Sequence, residues 1–339
     1  MAHQNNDNKI LKLKNFFFQW EWVLVLLFIA INIINASISP YYSNISGLLD
    51  ATMTFLDKAF IVLPMVFVII LGDIDVSVSS IVALSSVIMA VSYNDLHLPM
   101  ELAMILCLIV GTLCGLLNGL LIVKFKELSA VIVTVSTQII YRGIAYIILK
   151  DQASGNFPQW FSFLGWGYVG RIPFIIIVFA ICAVIFSLLL HKTTFGRYVY
   201  AMGNNITASR FSGIQVDKIK IIVFTLTGFM SGVTALFLTS RMGSTRPNIA
   251  LGYELDVIAM VVLGGVSTSG GKGKMIGAII SAFLIGMLRY GLGLVNLPSQ
   301  TILVIIGLLL VFSVMIPNVR LTIKKATKQN LAMANDKSD

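Results

Sequence analysis

The stretch ELAMILCLIVGTLCGLLNGLLIV, residues 101–123, holds one charged side chain, Glu101, in 23 positions. About 20 mostly apolar residues are enough for a helix to cross a hydrocarbon core of ~30 Å. Gly111, Gly115 and Gly119 recur within it every four residues, a spacing that lines one helix face and lets a neighbouring backbone approach closely. Outward from this segment the same pattern repeats along the chain. Spans are expected at 22–38, 59–72, 76–91 and 128–149, then at 172–190, 219–238, 254–265, 275–290 and 301–316. That makes about ten. The segments at 59–72 and 254–265 are short, as expected of helices that begin earlier in a loop or are broken.

The whole chain agrees with its parts. Of 339 residues, 57% are hydrophobic and 12% are charged, against about 25% charged in an ordinary soluble domain. There is too little polar surface to cover a soluble particle, which excludes a cytosolic enzyme, a secreted disulfide scaffold and a disordered chain. The net charge of +9 lies in short clusters between apolar runs, the pattern of membrane topology rather than of nucleic-acid binding. With the N-terminus inside, 17 of the 24 Lys and Arg residues fall in inner segments and four in outer ones. That positive-inside bias puts both termini in the cytoplasm. The expected organisation is a tail at 1–21, a transmembrane domain at 22–316 and a second tail at 317–339. The first span has a basic start but a long apolar run and no A-x-A site, so it reads as a retained helix rather than a signal peptide. Cys107, Cys114 and Cys182 lie in apolar stretches without C-x-x-C spacing and read as small core residues.

Motifs for chemistry are missing where they would be sought. Gly264 and Gly265 open a glycine-rich run through Lys274, but Val266 stands where a phosphate loop needs its first glycine, and Gly273 follows Lys272 where Ser or Thr belongs. No catalytic group, metal site or nucleotide site of the chain's own is expected, since His3, His97 and His191 have no ligand partners nearby and no G-x-S-x-G occurs. Gly228 and Gly232 repeat the small-residue spacing at 219–238, and together with Gly111, Gly115, Gly119, Gly264 and Gly265 read as helix packing.

Polar residues in apolar surroundings carry the functional expectations. Asp73, Asp75 and Ser77 lie between two short apolar runs, as a helix cap, a polar pathway or both. Asn118 sits in the glycine stripe, and Arg142 falls within a span, where it either snorkels outward or faces a cavity. Glu254 and Asp256 suit the start of a helix. Asp73, Asp75, Ser77, Asn118 and Arg142 are the pathway candidates. Residues 191–220 form a long, basic, inner connection, far beyond the usual 2–8 residues between helices, and read as a docking surface for a soluble partner.

Gly72-x-Ile74-Asp75-x-Ser77-Val78 resembles the signature of the sugar permeases of ribose-type ATP-binding cassette (ABC) importers. So do Thr194-Phe195-Gly196-Arg197, Tyr200-Ala201-x-Gly203-x-Asn205 and Ser212-Gly213-Ile214, and then Gly252-x-Glu254-Leu255 with Val262 to Ser267 and Gly270-Gly271-x-Gly273. The likeness runs in order through residues 24–317. The chain departs from the usual pattern in carrying Gly72-Asp73 where Gly-Gly is common and Ser79 where glycine follows Ser-Val. Residues 241–247, Arg-Met-Gly-Ser-Thr-Arg-Pro, are most similar to rhamnose-type permeases, with ribose and autoinducer-2 types next.

The resemblance implies an all-α polytopic protein of the cobalamin-importer-like fold in a bacterial cytoplasmic membrane. It implies a second permease subunit, identical or paired, a cytoplasmic ABC ATPase that binds the ATP, and an extracytoplasmic sugar-binding protein. The 191–220 segment would then couple ATPase closure to helix movement through Thr194, Gly196, Arg197, Gly203, Asn205, Arg210 and Gly213. The competing expectation is an ion-coupled secondary transporter, for which Asp73 and Asp75 would be the carboxylates.

Overall fold

The computed structural model describes residues 20–298, 300–309 and 311. Nearly all of the two expected tails, with their basic residues, and the end of the tenth expected span lie outside the described residues. Fourteen helices form among the described residues. In chain order they are α1 (Trp20–Ile38), α2 (Ile45–Met53), α3 (Leu56–Ile70), α4 (Val78–Asn94), α5 (Met100–Lys124) and α6 (Ala130–Leu149). After them come α7 (Ser162–Trp166), α8 (Phe174–Lys192), α9 (Thr194–Asn204), α10 (Ile206–Phe211), α11 (Val216–Met242), α12 (Tyr253–Leu263), α13 (Met275–Leu294) and α14 (Gln300–Leu309).

Every expected span carries a helix, but the helices differ in kind. Six of them, α1, α5, α6, α8, α11 and α13, are long and apolar enough to cross a membrane, and α2 with α3 makes a seventh candidate bent by 60°. The chain is an all-α, multi-pass membrane protein. Helix α12 has 11 residues, a length of about 16 Å at 1.5 Å per residue, half of a hydrocarbon core. The short reading of 59–72 has its reason in the break at Thr54 and Phe55, where the helix direction changes between α2 and α3.

Burial sorts the helices into two shells. All fifteen residues of α3 are buried, as are 13 of the 17 in α4. Around them stand α11 and α13, about two-thirds buried, and outermost are α1, α6 and α8, at 17%, 28% and 22%. Helices α6 and α8 carry many exposed apolar side chains, a surface that hydrocarbon tolerates. Aromatic contacts fix α3 in place: Phe60 lies against Phe179 and Phe237, and Phe67 against Phe186 and Phe195.

The two glycine runs meet each other. A Cβ built on Gly115 would stand 2.4 Å from the Phe224 carbonyl oxygen, one on Gly111 2.6 Å from that of Gly228, and one on Gly228 2.3 Å from that of Gly111. Helices α5 and α11 therefore touch backbone to backbone over three turns, a separation that no side chain larger than hydrogen permits.

Two short antiparallel ladders tie the connections at one end of the bundle. Strand β1 (Ser154–Gly155) pairs with β4 (Ser244–Thr245), and β2 (Tyr168–Val169) with β3 (Ile172–Pro173). Helix α11, 27 residues and about 40 Å long, runs from that end to the one carrying α9 and α10.

Candidate functional site

The chain turns between α3 and α4 at Gly72, whose φ of +81° is open to glycine at no steric cost. Asp75 Oδ1 accepts from the backbone N–H of Ser77 at 2.9 Å and from its hydroxyl at 2.6 Å, which fixes the turn that leads into α4. The Asn118 amide donates to Ser77 Oγ at 2.7 Å, and the Tyr141 hydroxyl donates to Asn118 Oδ1 at 3.0 Å. Thr134 Oγ1 accepts from the N–H of Val76 and donates to the Ile74 carbonyl. The break in the helix is thus satisfied inside the protein, as hydrocarbon requires. Asp75, Ser77, Asn118 and Tyr141 form one buried chain across three helices. Asp75 Oδ2 and the hydroxyls of Ser79, Ser80 and Ser85 are buried along the same stretch without a hydrogen-bond partner.

Asp73 and Arg142 are held elsewhere. Asp73 pairs with Lys220 at 2.6 Å, both largely buried at the start of α11. Arg142 does not snorkel outward. Its Nη1 donates to the carbonyls of Pro247 and Ile249 at 2.6 and 2.7 Å, fastening the connection between α11 and α12 to α6.

A charge cluster near that connection is absent from the sequence expectations. Asp57, fully buried, pairs with Arg241 at 2.7 Å, and the Tyr253 hydroxyl donates to the same carboxylate at 3.3 Å. Asp256 takes both Lys58 and Arg289, at 2.7 and 2.6 Å. Asp256 is therefore a shared anion for two cations rather than a helix-start carboxylate alone. Removing one member of such a set leaves a desolvated charge and costs several kcal/mol, about 3–5. The signal was available: Lys58 and Arg289 fall in apolar segments, where unpaired cations are too costly to keep.

The 191–220 connection is two helices rather than a loop. Thr193 Oγ1 caps α9 through the N–H of Gly196, and Asn205 Oδ1 caps α10 through that of Ala208. Gly196 and Gly203 are points of backbone contact: a Cβ on either would lie 1.9 Å from a carbonyl oxygen, that of Leu190 and Ile70 respectively. The Ile70 carbonyl, at the end of α3, also accepts from Gly271 N–H at 2.8 Å. Tyr200 donates to the Gly273 carbonyl at 2.6 Å, and burial pushes its phenol up to about 12. The glycine-rich run 264–273 is the seat of α9. Within it, Gly264 lies against the backbone of Gly277 and Ala278, and Gly265 (φ +84°) against Trp20.

The opposite face of α9 and α10 is open. Thr194, Arg197, Asn205 and Arg210 are exposed, and Phe211 is 89% exposed. Gly213, at φ +81°, turns the chain into α11. Arg210 and Lys126 both reach Asp217, exposed pairs that contribute little to stability. A cavity of about 360 Å³ opens beside them, lined in part by Asp73, Lys126, Arg210 and Lys220. Among the described residues, no group of three or more His, Cys, Asp and Glu side chains could hold a metal ion.

The comparisons with known proteins agree with one another. The chain is 35% identical over 305 residues to the ribose import permease protein RbsC of Haemophilus influenzae, covering 88% of this chain and 93% of that one. It is 33% identical over 303 residues to the autoinducer 2 import system permease protein LsrD of Klebsiella pneumoniae, covering 87% and 90%. Its identity to LsrD of Escherichia coli K12 is 32% over 299 residues, covering 86% and 90%. No solved structure matched. These relatives are import permeases, so the chain is a transport component and not itself an enzyme. Residues 47–314 match the family described as branched-chain amino acid transport system / permease component, and the chain belongs to that family.

Proposed function

We propose that this chain is the membrane-spanning subunit of an ABC importer that carries a small sugar inward by alternating access. In this reading its helices make ten crossings in the cobalamin-importer arrangement, with α12 and the bent α2–α3 pair among them, and both termini are cytoplasmic. Two such subunits, identical or paired, enclose the pathway. ATP is held by a partner ATPase, and a binding protein delivers the sugar to the opposite face.

The observation that carries the reading is the seating of α9 and α10. The buried side of α9 sits against the end of α3 and the glycine-rich run at Gly203 and Gly271, and the other side of α9 and α10 presents basic and aromatic groups to solvent. A force applied to that face reaches the buried centre of the bundle directly. Asp73, through Lys220, joins α4's entrance to the same region, next to the buried Asp75–Ser77–Asn118 chain that supplies hydrogen bonds for a hydroxyl-rich solute.

The ion-coupled alternative is weaker. It would have to run through Asp75, since Asp73 is neutralised by Lys220, and the relatives are permeases of import systems rather than ion-coupled carriers by name.

The cargo is a small polyhydroxylated molecule. Rhamnose is favoured by residues 241–247, and ribose and autoinducer 2 by the relatives' names. The test is ATP turnover in liposomes holding this chain, its ATPase and its binding protein. Stimulation by one of the three sugars, dependent on this chain, supports the reading. Turnover indifferent to all three, in a complete complex, refutes it.

A further inference from the structure

The connection between α11 and α12 is built like a site rather than like a tether. From Ser244 to Ile249 its side chains alternate: Thr245, Pro247 and Ile249 are buried, while Ser244, Arg246 and Asn248 turn the other way. Only Ser244–Thr245 is strand; the chain then turns, with the Ile249 N–H donating to the Arg246 carbonyl at 3.1 Å, and the turn brings Ser244, Arg246 and Asn248 into one polar row. The buried set is anchored at each step. Thr245 Oγ1 shares a 2.6 Å hydrogen bond with Ser86 of α4, β4 pairs with β1, and Arg142 holds the carbonyls of Pro247 and Ile249. Gly243 and Gly252, at φ +67° and +84°, turn the chain at either end.

The row faces a cavity of about 540 Å³. Arg241 and Tyr253 form its other polar wall, and both are oriented by the buried Asp57. Leu238, Met242, Ile249, Ala250 and Leu251 complete the lining. Asp57 offsets the Arg241 charge, so Arg246 is the cavity's charged donor, beside the neutral donors of Ser244, Asn248 and Tyr253. Planar guanidinium and amide groups, a tyrosine ring and apolar patches together fit a ring that carries hydroxyls on its edges and C–H groups on its faces.

Ser86 and Arg142 tie this cavity to α4 and α6, the helices that carry Ser77 and Tyr141 of the buried polar chain. It lies at the end of α11 away from α9 and α10.

We propose that this cavity, bounded by Arg241, Ser244, Arg246, Asn248 and Tyr253, is where a neutral polyhydroxylated solute first binds the chain. The proposal rests on the permease reading and adds a location and contacts to it.

The test uses the full-length chain in lipid nanodiscs, with Cys182→Ser and, at the exposed apolar edge of the cavity, Leu251→Cys, labelled by a charged thiol reagent. Cys107 and Cys114 are buried. Ribose and rhamnose are the probes. At about 50 mM, some ten times a weak-site Kd of about 5 mM, either sugar should slow labelling about tenfold. Labelling of Phe211→Cys, at the other end, should not change, and adding Arg246→Ala should remove the protection. Labelling of Leu251→Cys that neither sugar slows overturns the proposal, as does protection by glucuronate alone, which would make this an anion site.

ATP-driven uptake by the wild-type complex is measured beside it. Uptake without protection refutes this site and leaves the permease reading standing. Protection without uptake supports the site and refutes the permease reading.

Discussion

Gly203→Ala tests whether the coupling helices are seated by backbone contact. The added Cβ would lie 1.9 Å from the Ile70 carbonyl oxygen and 2.5 Å from Gly271 N, where ordinary contact begins near 3.4 Å. Both obstacles are main chain, so no side chain can swing aside. Relief requires α9 to move away from α3 by about 1.5 Å, a misfit of the kind that costs about 1–3 kcal/mol in a packed interior. That cost is concentrated at the junction of α9 and α3. Gly143→Ala is the control, because its Cβ meets nothing within 4 Å and alanine favours a helix interior by about 0.5–1 kcal/mol. Thermal denaturation of the purified chain should move down for Gly203→Ala and up for Gly143→Ala. In the assembled complex, Gly203→Ala should lower the sugar-stimulated ATP turnover that Gly143→Ala retains. Equal stability of the two variants, with coupling intact in both, would refute the backbone-contact argument.

Three other outcomes are expected. Asp73→Ala and Lys220→Ala should each destabilise the chain by more than half of what the double variant does, since each alone strands a largely buried charge; additive losses in a double-mutant cycle would show that the pair is not coupled. Tyr200→Phe should cost ~0.5–1.5 kcal/mol through the lost bond to Gly273. Because the folded phenol is raised from 10.0 to about 12, its contribution is complete below pH 10 and lost as pH rises from 10 to 12, and a denaturation series over that range should show this loss in the wild type and not in Tyr200→Phe. Arg197→Glu, on the exposed face of α9, should leave the chain inserted and folded while abolishing ATP-dependent uptake; normal uptake would remove the docking role from that face.

Amino-acid order alone determined the solvent of this protein and the positions of its helices. Length and apolarity decide whether a segment such as 101–123 can sit in lipid, and both are properties of a contiguous stretch. The family likeness was legible for the same reason, being carried by short motifs in order. The glycine repeats at 111–119 and 228–232 could be read as packing surfaces one at a time. That they pack against each other is a matter of which helices are neighbours, and spacing along the chain does not encode it. The same holds for charge. Asp73 and Asp75 look alike in sequence, two residues apart, yet one is tied to Lys220, 147 positions away, and the other to Ser77, its near neighbour. The cluster of Asp57, Lys58, Arg241, Asp256 and Arg289 draws on four helices, and only their convergence makes five costly buried charges tolerable. Tertiary structure decided these pairings because Coulomb attraction and contact fall off with distance in space, to which distance along a folded chain is a poor guide.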